Sequence, residues 1–504
     1  MKKRLKNLAL KRGKMYKREP KNQLSFEDFY LPFGGHLNEK NRWVQLAALI
    51  PWEEFEEEYA KQFSSNGMGA PAKPLRMALG AELIKRKLNI TDEEVVEQLK
   101  ENPYLQYFIG MESYRDEAPF DPSMMTHFRE RLSLEMINRV NERVIENQHK
   151  KKEQKKTGQN ESGKEEENVS NKGKLLLDAT CIPQDIRYPT DLSLLAEARE
   201  NTERVIDRLY EAGGKQGNKP RTYRKKARKE YLSIVKQRNK NRKSIRRGVK
   251  KQLGFLSRNL RIIEKQAENV GLEVLKEREY RNLLVCQEVY RQQQQMYKNR
   301  ECRIEDRIVS ISQPHIRPIK RGKAGRETEF GSKVLLSVVS GYVRIEKLEW
   351  DNYNESMLFE ESVESYKKRY GCYPESAHVD KIFITKNNRS YCKERGIRIS
   401  GPSLGRPSVD IEKTREVRKQ EARDSRDRIP VEGKIGNCKR KYGLDRVFAK
   451  KANTSECEIA IGILLLNLDK SLRDIFVIFY IIRFFGINQN YEYDNDLNPQ
   501  KKAA

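Results

Sequence analysis

One phrase of this sequence, Arg428-x3-Glu432-x6-Lys439, sets a carboxylate between two cations at a helical repeat. At i, i+4 and i+11 the three side chains share one helix face. Pro430 is then expected in the first turn of that helix, where its missing N–H does no harm. Upstream, two apolar runs each end in an aspartate: Lys174-Leu-Leu-Leu-Asp178 and Ser376-Ala-His-Val-Asp380. Two strand-borne aspartates and a helix-borne glutamate supply the oxygen ligands that a pair of Mg²⁺ ions needs for in-line displacement at a phosphodiester. An aspartate ending a strand is also an ordinary turn or cap residue. An Arg/Glu/Lys helix face is also an ordinary solvated ion-pair stripe. The order Asp–Asp–Glu–Lys inside a strongly basic chain is what favours the catalytic reading.

The chain has 504 residues, 37% of them hydrophobic, and a formal net charge of +28. That length suits two to four domains. The charge points to a polyanion, and so to nucleic acid, and away from a membrane-spanning or small-molecule metabolic role. The seven cysteines are scattered, with no Cys-x-x-Cys pair and no zinc spacing, as in a reduced, intracellular protein. His315 and His378 are the histidines nearest the acidic motifs, and both read as packing or hydrogen-bonding residues. The basic start (Met1-Lys-Lys-Arg) lacks the apolar core of a signal peptide. The apolar run at 475–485 is about half a membrane span and contains Arg483, so a buried terminal helix or strand is expected there. No membrane association and a cytoplasmic location follow as expectations.

The elements that must position the acids are legible in outline. Residues 1–25 form a basic arm. Residues 30–146 carry helical spacing (Leu75, Leu79, Leu83, Ile84), a capping box at Thr91-x-x-Glu94 and a helix start at Asp121-Pro-Ser123. They suit a helix-turn-helix-like DNA-binding domain or a plain bundle. Residues 147–173 are charged and almost free of apolar residues, a linker. A strand at 175–177 follows. Residues 190–305 are then an insertion of long helices, with cations along it at Lys225-Lys-Ala-Arg-Lys229 and at Arg242, Lys243, Arg246 and Arg247. These suit a solvated face or a surface that tracks DNA phosphates. Residues 317–323 read as a basic loop. A hairpin turning at Ser340-Gly341, a helix over 355–370, strands before Asp380 and at 397–399, the glutamate helix and an apolar helix at 459–468 complete a mixed α/β core over 174–470. Residues 471–504 are a tail.

These residues resemble the DDE transposases of bacterial insertion sequences, with a closer similarity to the group around insertion sequences five and 1182. The resemblance runs from about residue 30 to about residue 470. It is carried by Asp121-Pro-Ser-Met-Met-Thr-His-Phe-Arg129, Leu175-Leu-Leu-Asp-Ala-Thr180, Gly331-Ser-Lys-Val, Trp350-Asp-Asn-Tyr-Asn-Glu355, Gly396-Ile-Arg-Ile-Ser-Gly-Pro402, Leu404-Gly-Arg-Pro407 and Val431-Glu-Gly-Lys. It implies a ribonuclease-H-like catalytic core, a mixed sheet flanked by helices, joined to an all-helical N-terminal domain. It implies Asp178, Asp380 and Glu432 as catalytic ligands of two Mg²⁺ ions, with Mn²⁺ as a substitute and Asp178 bridging both. Arg428 and Lys439 become phosphate clamps. Related transposases have Tyr-x2-Arg-x3-Glu-x6-Lys on the glutamate helix; here Ser425 stands at the tyrosine position. The implied activity is cleavage at the ends of an insertion sequence and strand transfer into target DNA. The partners are double-stranded terminal inverted repeats and target DNA, bound by a homodimer at the nucleoid. A metal-dependent nuclease without strand transfer, or a DNA-binding derivative with a dead site, would share much of this sequence.

Overall fold

The computed structural model describes residues 29–31, 35–63, 71–157, 171–215, 217–323, 326–401 and 411–485. The basic arm, most of the charged linker, the Leu404–Pro407 motif and the chain beyond 485 lie outside the described residues. Seven helices come first: α1 (Arg42–Ala47), α2 (Trp52–Ala60), α3 (Leu75–Leu88), α4 (Asp92–Glu101), α5 (Pro103–Phe108), α6 (Met124–Arg131) and α7 (Leu134–Thr157). The Thr91 side chain accepts the Glu94 N–H at the start of α4, ahead of three acidic residues that favour the helix's positive end. The linker expected from residue 147 begins instead as helix, since α7 runs through Thr157. His149 explains part of this: its ring packs against Tyr342 and Tyr370, which gives the charged segment an apolar foothold.

The sheet-bearing part of the chain begins with β1 (Lys174–Pro183). A helical insertion follows: α8 (Asp191–Ala212), α9 (Arg224–Val235), α10 (Arg242–Val270) and α11 (Glu277–Asn299). Its apolar residues form two clusters of their own, around Leu195 and Leu256 and around Ile206 and Ile263. The segment read as a basic loop is a strand, β2 (Arg317–Lys323), because β3 (Arg326–Val339) is long enough to pair with it through its first half. The second half of β3 pairs with β4 (Tyr342–Glu349) across a turn where Ser340 and Gly341 both have positive φ, as a two-residue hairpin requires. α12 (Phe359–Tyr370), β5 (Ser376–His378), α13 (Lys386–Glu394), β6 (Arg398–Ile399), α14 (Ile411–Lys441) and α15 (Ala452–Phe485) complete the order.

The sheet runs β2-β3-β1-β5-β6, with β4 beside β3. β1 is antiparallel to β3 and parallel to β5, and β5 is parallel to β6. Gly331 sits opposite Pro183 where β3 passes β1; a Cβ there would overlap the Ile182 carbonyl oxygen. Strand alternation sorts the two faces. Leu175, Leu177, Leu335 and Ala377 face α12 and α13. Leu176, Val334, Leu336 and Val338 face α14, α15 and the N-terminal helices. Those helices share one continuous apolar core with the sheet and α15. Among the described residues, helices 42–157 therefore do not pack as a separate module.

Candidate active site

Asp178 lies inside β1, five residues before the strand ends, and by alternation it projects to the α14 face of the sheet. Asp380 follows β5 and caps a short 3₁₀ turn, its carboxylate accepting the Lys381 N–H at 2.7 Å. Glu432 projects from α14 at 62% exposure, beside Val431, which is fully buried. The sequence placed Pro430 in the first turn, but α14 begins at Ile411 and Pro430 lies well inside it. The ring is solvent-exposed, so no neighbour clashes from outside the helix. The cost is the lost N–H bond toward the Arg426 carbonyl.

Two clamps fix α14. Toward its middle, Arg398 of β6 donates to Asp424 at 2.7 Å and Lys174 of β1 reaches Asp427 at 2.8 Å. The second pair is exposed at both ends and is worth roughly 0–1 kcal/mol. At the C-terminus, buried Asp469 of α15 takes Lys87 of α3, Lys441 at 2.7 Å and the Tyr442 hydroxyl at 2.7 Å. Arg86 of α3 donates to the carbonyls of Tyr442 and Gly443 and pairs with Glu458. Removing one partner of such a buried group costs about 3–5 kcal/mol. The N-terminal α3 is therefore the firmer anchor of the helix that bears Glu432.

The three acids meet around one guanidinium. Arg428 lies 3.8 Å from Asp178, 3.4 Å from Asp380 and 3.6 Å from Glu432. The sequence reading gives Arg428 a phosphate; here its charge is directed at carboxylates. Burial pushes the Asp178 carboxyl up to about 6, against the pull of Arg428 and the Ala179 N–H and with help from Asp380 and Glu355. A cleft of about 880 Å³ runs over these groups, and Lys439 lines it together with Lys320, Lys333 and Glu355. Lys333 and Glu355 form a 2.8 Å pair inside the cleft, with Lys333 also donating to Asn352 and the Tyr353 carbonyl. Sequence reasoning missed both. The Trp350–Glu355 phrase was the available signal, but nothing in its spacing tells which side chain turns inward. Arg242, Lys243, Arg246 and Arg247 lie apart from the acids, exposed on the first turns of α10. Arg246 is engaged within the protein, stacked 4.1 Å over Tyr297 and donating to its carbonyl. Lys240 and Ile245 line a second groove of about 800 Å³, which shares Lys320 and Asn352 with the cleft.

The donor set suits a hard divalent cation: oxygen-only ligands from three separate elements, converging where the fold already accommodates a positive group. Among the described residues, no helix is long and apolar enough to cross a membrane.

Comparison with known proteins agrees with this geometry. The family described as Transposase domain (DUF772) matches residues 32–131, which span α1 to α6. The family described as Transposase DDE domain matches residues 377–469, which include Asp380 and Glu432. The chain is similar to "Uncharacterized protein ORF8 in nfe locus" of Rhizobium meliloti, 34% identical over 162 residues, covering 32% of this chain and 71% of that protein. No solved structure matches. With an N-terminal transposase domain, a C-terminal DDE domain and acids gathered from β1, β5 and α14, the chain belongs to the DDE-type transposases.

Proposed function

We propose that this protein cuts DNA at the ends of an insertion sequence and joins them to a target, by metal-dependent phosphoryl transfer at Asp178, Asp380 and Glu432. The observation that carries the reading is the convergence of these three carboxylates within 4 Å of one guanidinium in a cation-lined cleft. β1 pairs antiparallel with β3, which pairs antiparallel with β2 and β4, and parallel β5 and β6 lie on the other side of β1; this sheet, with helices on both faces, supports a ribonuclease-H-like core. The closer grouping with insertion sequences five and 1182 belongs to the same proposal.

The three acids would hold two Mg²⁺ ions, or Mn²⁺ in their place, which supply activation of the attacking oxygen and stabilisation of the leaving oxygen. The chain's own residues do the rest. Asp178, rooted in the sheet, sets the reference position. Arg428 offsets the mutual repulsion of the acids and holds them together before DNA arrives. Lys439 and Lys320 line the path of the phosphate backbone and neutralise it, while Lys333 is held by Glu355. Arg242, Lys243 and Arg247, exposed on the first turns of α10, add phosphate contacts outside the cleft. End recognition is assigned to residues 30–146. A homodimer on DNA, working in the cytoplasm at the nucleoid, follows from the need to hold two element ends.

The test is a cleavage and joining assay on a duplex carrying the element's terminal repeat, with Mg²⁺ or Mn²⁺. Wild type should give nicked ends and joined product, and Asp178→Asn, Asp380→Asn and Glu432→Gln should give neither while retaining DNA binding. Cleavage without joining would reduce the protein to a nuclease, and binding without cleavage would mark a dead derivative.

A further inference from the structure

Beneath the acid cluster lies a second group of ligand-type side chains that the transposition chemistry does not use. His378 on β5 and Asp424 and Asp427 on α14 bring one ligand atom each to within 4.8 Å of the others. We propose that these three residues form a structural site for a divalent cation of the zinc class, one that locks the glutamate helix to the strand leading into Asp380.

The argument starts from the imidazole. His378 is fully buried, and its Nε2 lies 3.0 Å from the Ser376 hydroxyl. Its Nδ1 has no hydrogen-bond partner and faces Asp424 Oδ1 at 4.0 Å. Neither tautomer satisfies that nitrogen. With the proton on Nε2, a bare lone pair on Nδ1 confronts a carboxylate. With the proton on Nδ1, the distance is too long for a hydrogen bond. A buried polar atom left this way is destabilising. A cation between the nitrogen and the carboxylate oxygens removes the conflict. Bonds of about 2.0–2.2 Å to nitrogen and oxygen put neighbouring ligands roughly 3.3 Å apart around a tetrahedral ion. The observed separations therefore close by an ångström or so of side-chain rotation.

The competing cations leave room. Asp424 takes two contacts from Arg398 and one from Gln420, against about four lone-pair positions on a carboxylate. Asp427 is held only at its Oδ2 by Lys174, whose side chain is half exposed and free to swing into solvent. One imidazole nitrogen and two carboxylates suit zinc or its near neighbours better than magnesium. The placement gives the site its purpose: Asp427 adjoins Arg428, His378 is two residues before Asp380, and Lys174 is four before Asp178. A bound ion would fix the register of the two elements that carry Asp380 and Glu432 without touching substrate. That last step rests on the function proposed above; the binding of the ion does not.

The experiment uses full-length protein carrying Asp178→Asn and Glu432→Gln, so that the candidate active site keeps only one of its three carboxylates. After EDTA treatment and dialysis, ZnCl₂ is titrated by calorimetry, and melting is followed with and without zinc. One zinc per chain and a higher melting temperature are expected. Co²⁺ in place of zinc should give visible bands that include imidazole ligation. Adding His378→Gln should weaken binding at least tenfold and abolish the thermal shift. Asp427→Asn, at the half-exposed edge of the cluster, serves the same purpose if the buried substitution fails to fold. No zinc bound in the doubly substituted background, or binding unchanged by Asp427→Asn, would overturn the proposal and leave the cluster as an ion-pair clamp. A Mg²⁺-dependent thermal shift present in wild type and lost in the background protein reports separately on the active-site reading.

Discussion

Asp178→Asn removes a charge that the fold holds at a cost. Burial raises the Asp178 carboxyl from 3.8 to about 6 in the protein without metal. At about 1.4 kcal/mol per pH unit, that displacement amounts to roughly 3 kcal/mol. The sign follows from linkage: a carboxyl whose folded pKa is raised favours the folded state below about pH 4 and loses that advantage as pH rises through about 6. Above that window the ionised, desolvated Asp178 works against folding. The isosteric amide has no charge to desolvate and keeps an oxygen for the Ala179 N–H, which Asp178 accepts at 2.9 Å. In EDTA at pH 7.5, Asp178→Asn should therefore stabilise the protein by about 1–3 kcal/mol. If the shared core melts as a unit of roughly 300 residues, unfolding entropy of about 2.1 cal/mol/K per residue makes this a rise of about 2–5 °C. The gain should vanish near pH 4, and saturating Mg²⁺ should stabilise wild type and not the variant. Calorimetry across pH in EDTA and in Mg²⁺ checks all three limbs. A variant no more stable than wild type at pH 7.5, or a gain that persists at pH 4, would refute the reasoning.

Pro430→Ala restores an N–H toward the Arg426 carbonyl in the middle of α14. It should raise stability, and with it the melting temperature, by at most the ~3 kcal/mol of free energy that proline costs a helix interior. It should also lower cleavage tenfold or more as Arg428 and Glu432 rotate, so unchanged cleavage in a stabilised variant would show that the break is incidental. Neutralising Arg242, Lys243, Arg246 and Arg247 together should reduce the slope of log affinity against log salt by about 3 rather than 4, at ~0.9 per contact, because Arg246 is engaged with Tyr297. A slope equal to that of wild type would mean that this face meets only water. A chain ending near residue 450 should fail to fold, since α15 fills the core between the N-terminal helices and the sheet. A monodisperse, helical N-terminal fragment in size-exclusion and circular-dichroism measurements would contradict that.

Local chemistry made much of this protein legible in one dimension. Thr91 and Glu94 mark a helix start because a side-chain oxygen and an orphan N–H meet within four residues. Ser340-Gly341 marks a hairpin because positive φ at both positions matches strand twist. The run into Asp178 reads as strand because a short continuous apolar run suits a strand buried on both faces, and the spacing of Arg428 to Glu432 reads as one helix face because side chains four apart in a helix are neighbours. The family resemblance rested on these same short phrases. Where the reading failed, the deciding contact was distant. Nothing near Pro430 reveals that α14 starts 19 residues earlier. Nothing near residues 317–323 announces β3 as a pairing edge, and the charges after residue 147 conceal a helix held by Tyr342 and Tyr370.

The sequence by itself determined which side chains carry oxygen ligands and positive charge, and the local element on which each sits. Tertiary structure decided what those charges face. It turned Arg428 toward three carboxylates, brought Lys333 and Glu355 into the cleft, set His378 against Asp424, and made α3, about 340 residues away in sequence, the anchor of the glutamate helix. The physical reason is one of range. Backbone periodicity and capping act over three or four residues and are written in the order of the chain. Desolvation and Coulomb forces act over ångströms of space, and their partners are fixed only once the sheet and helices have packed.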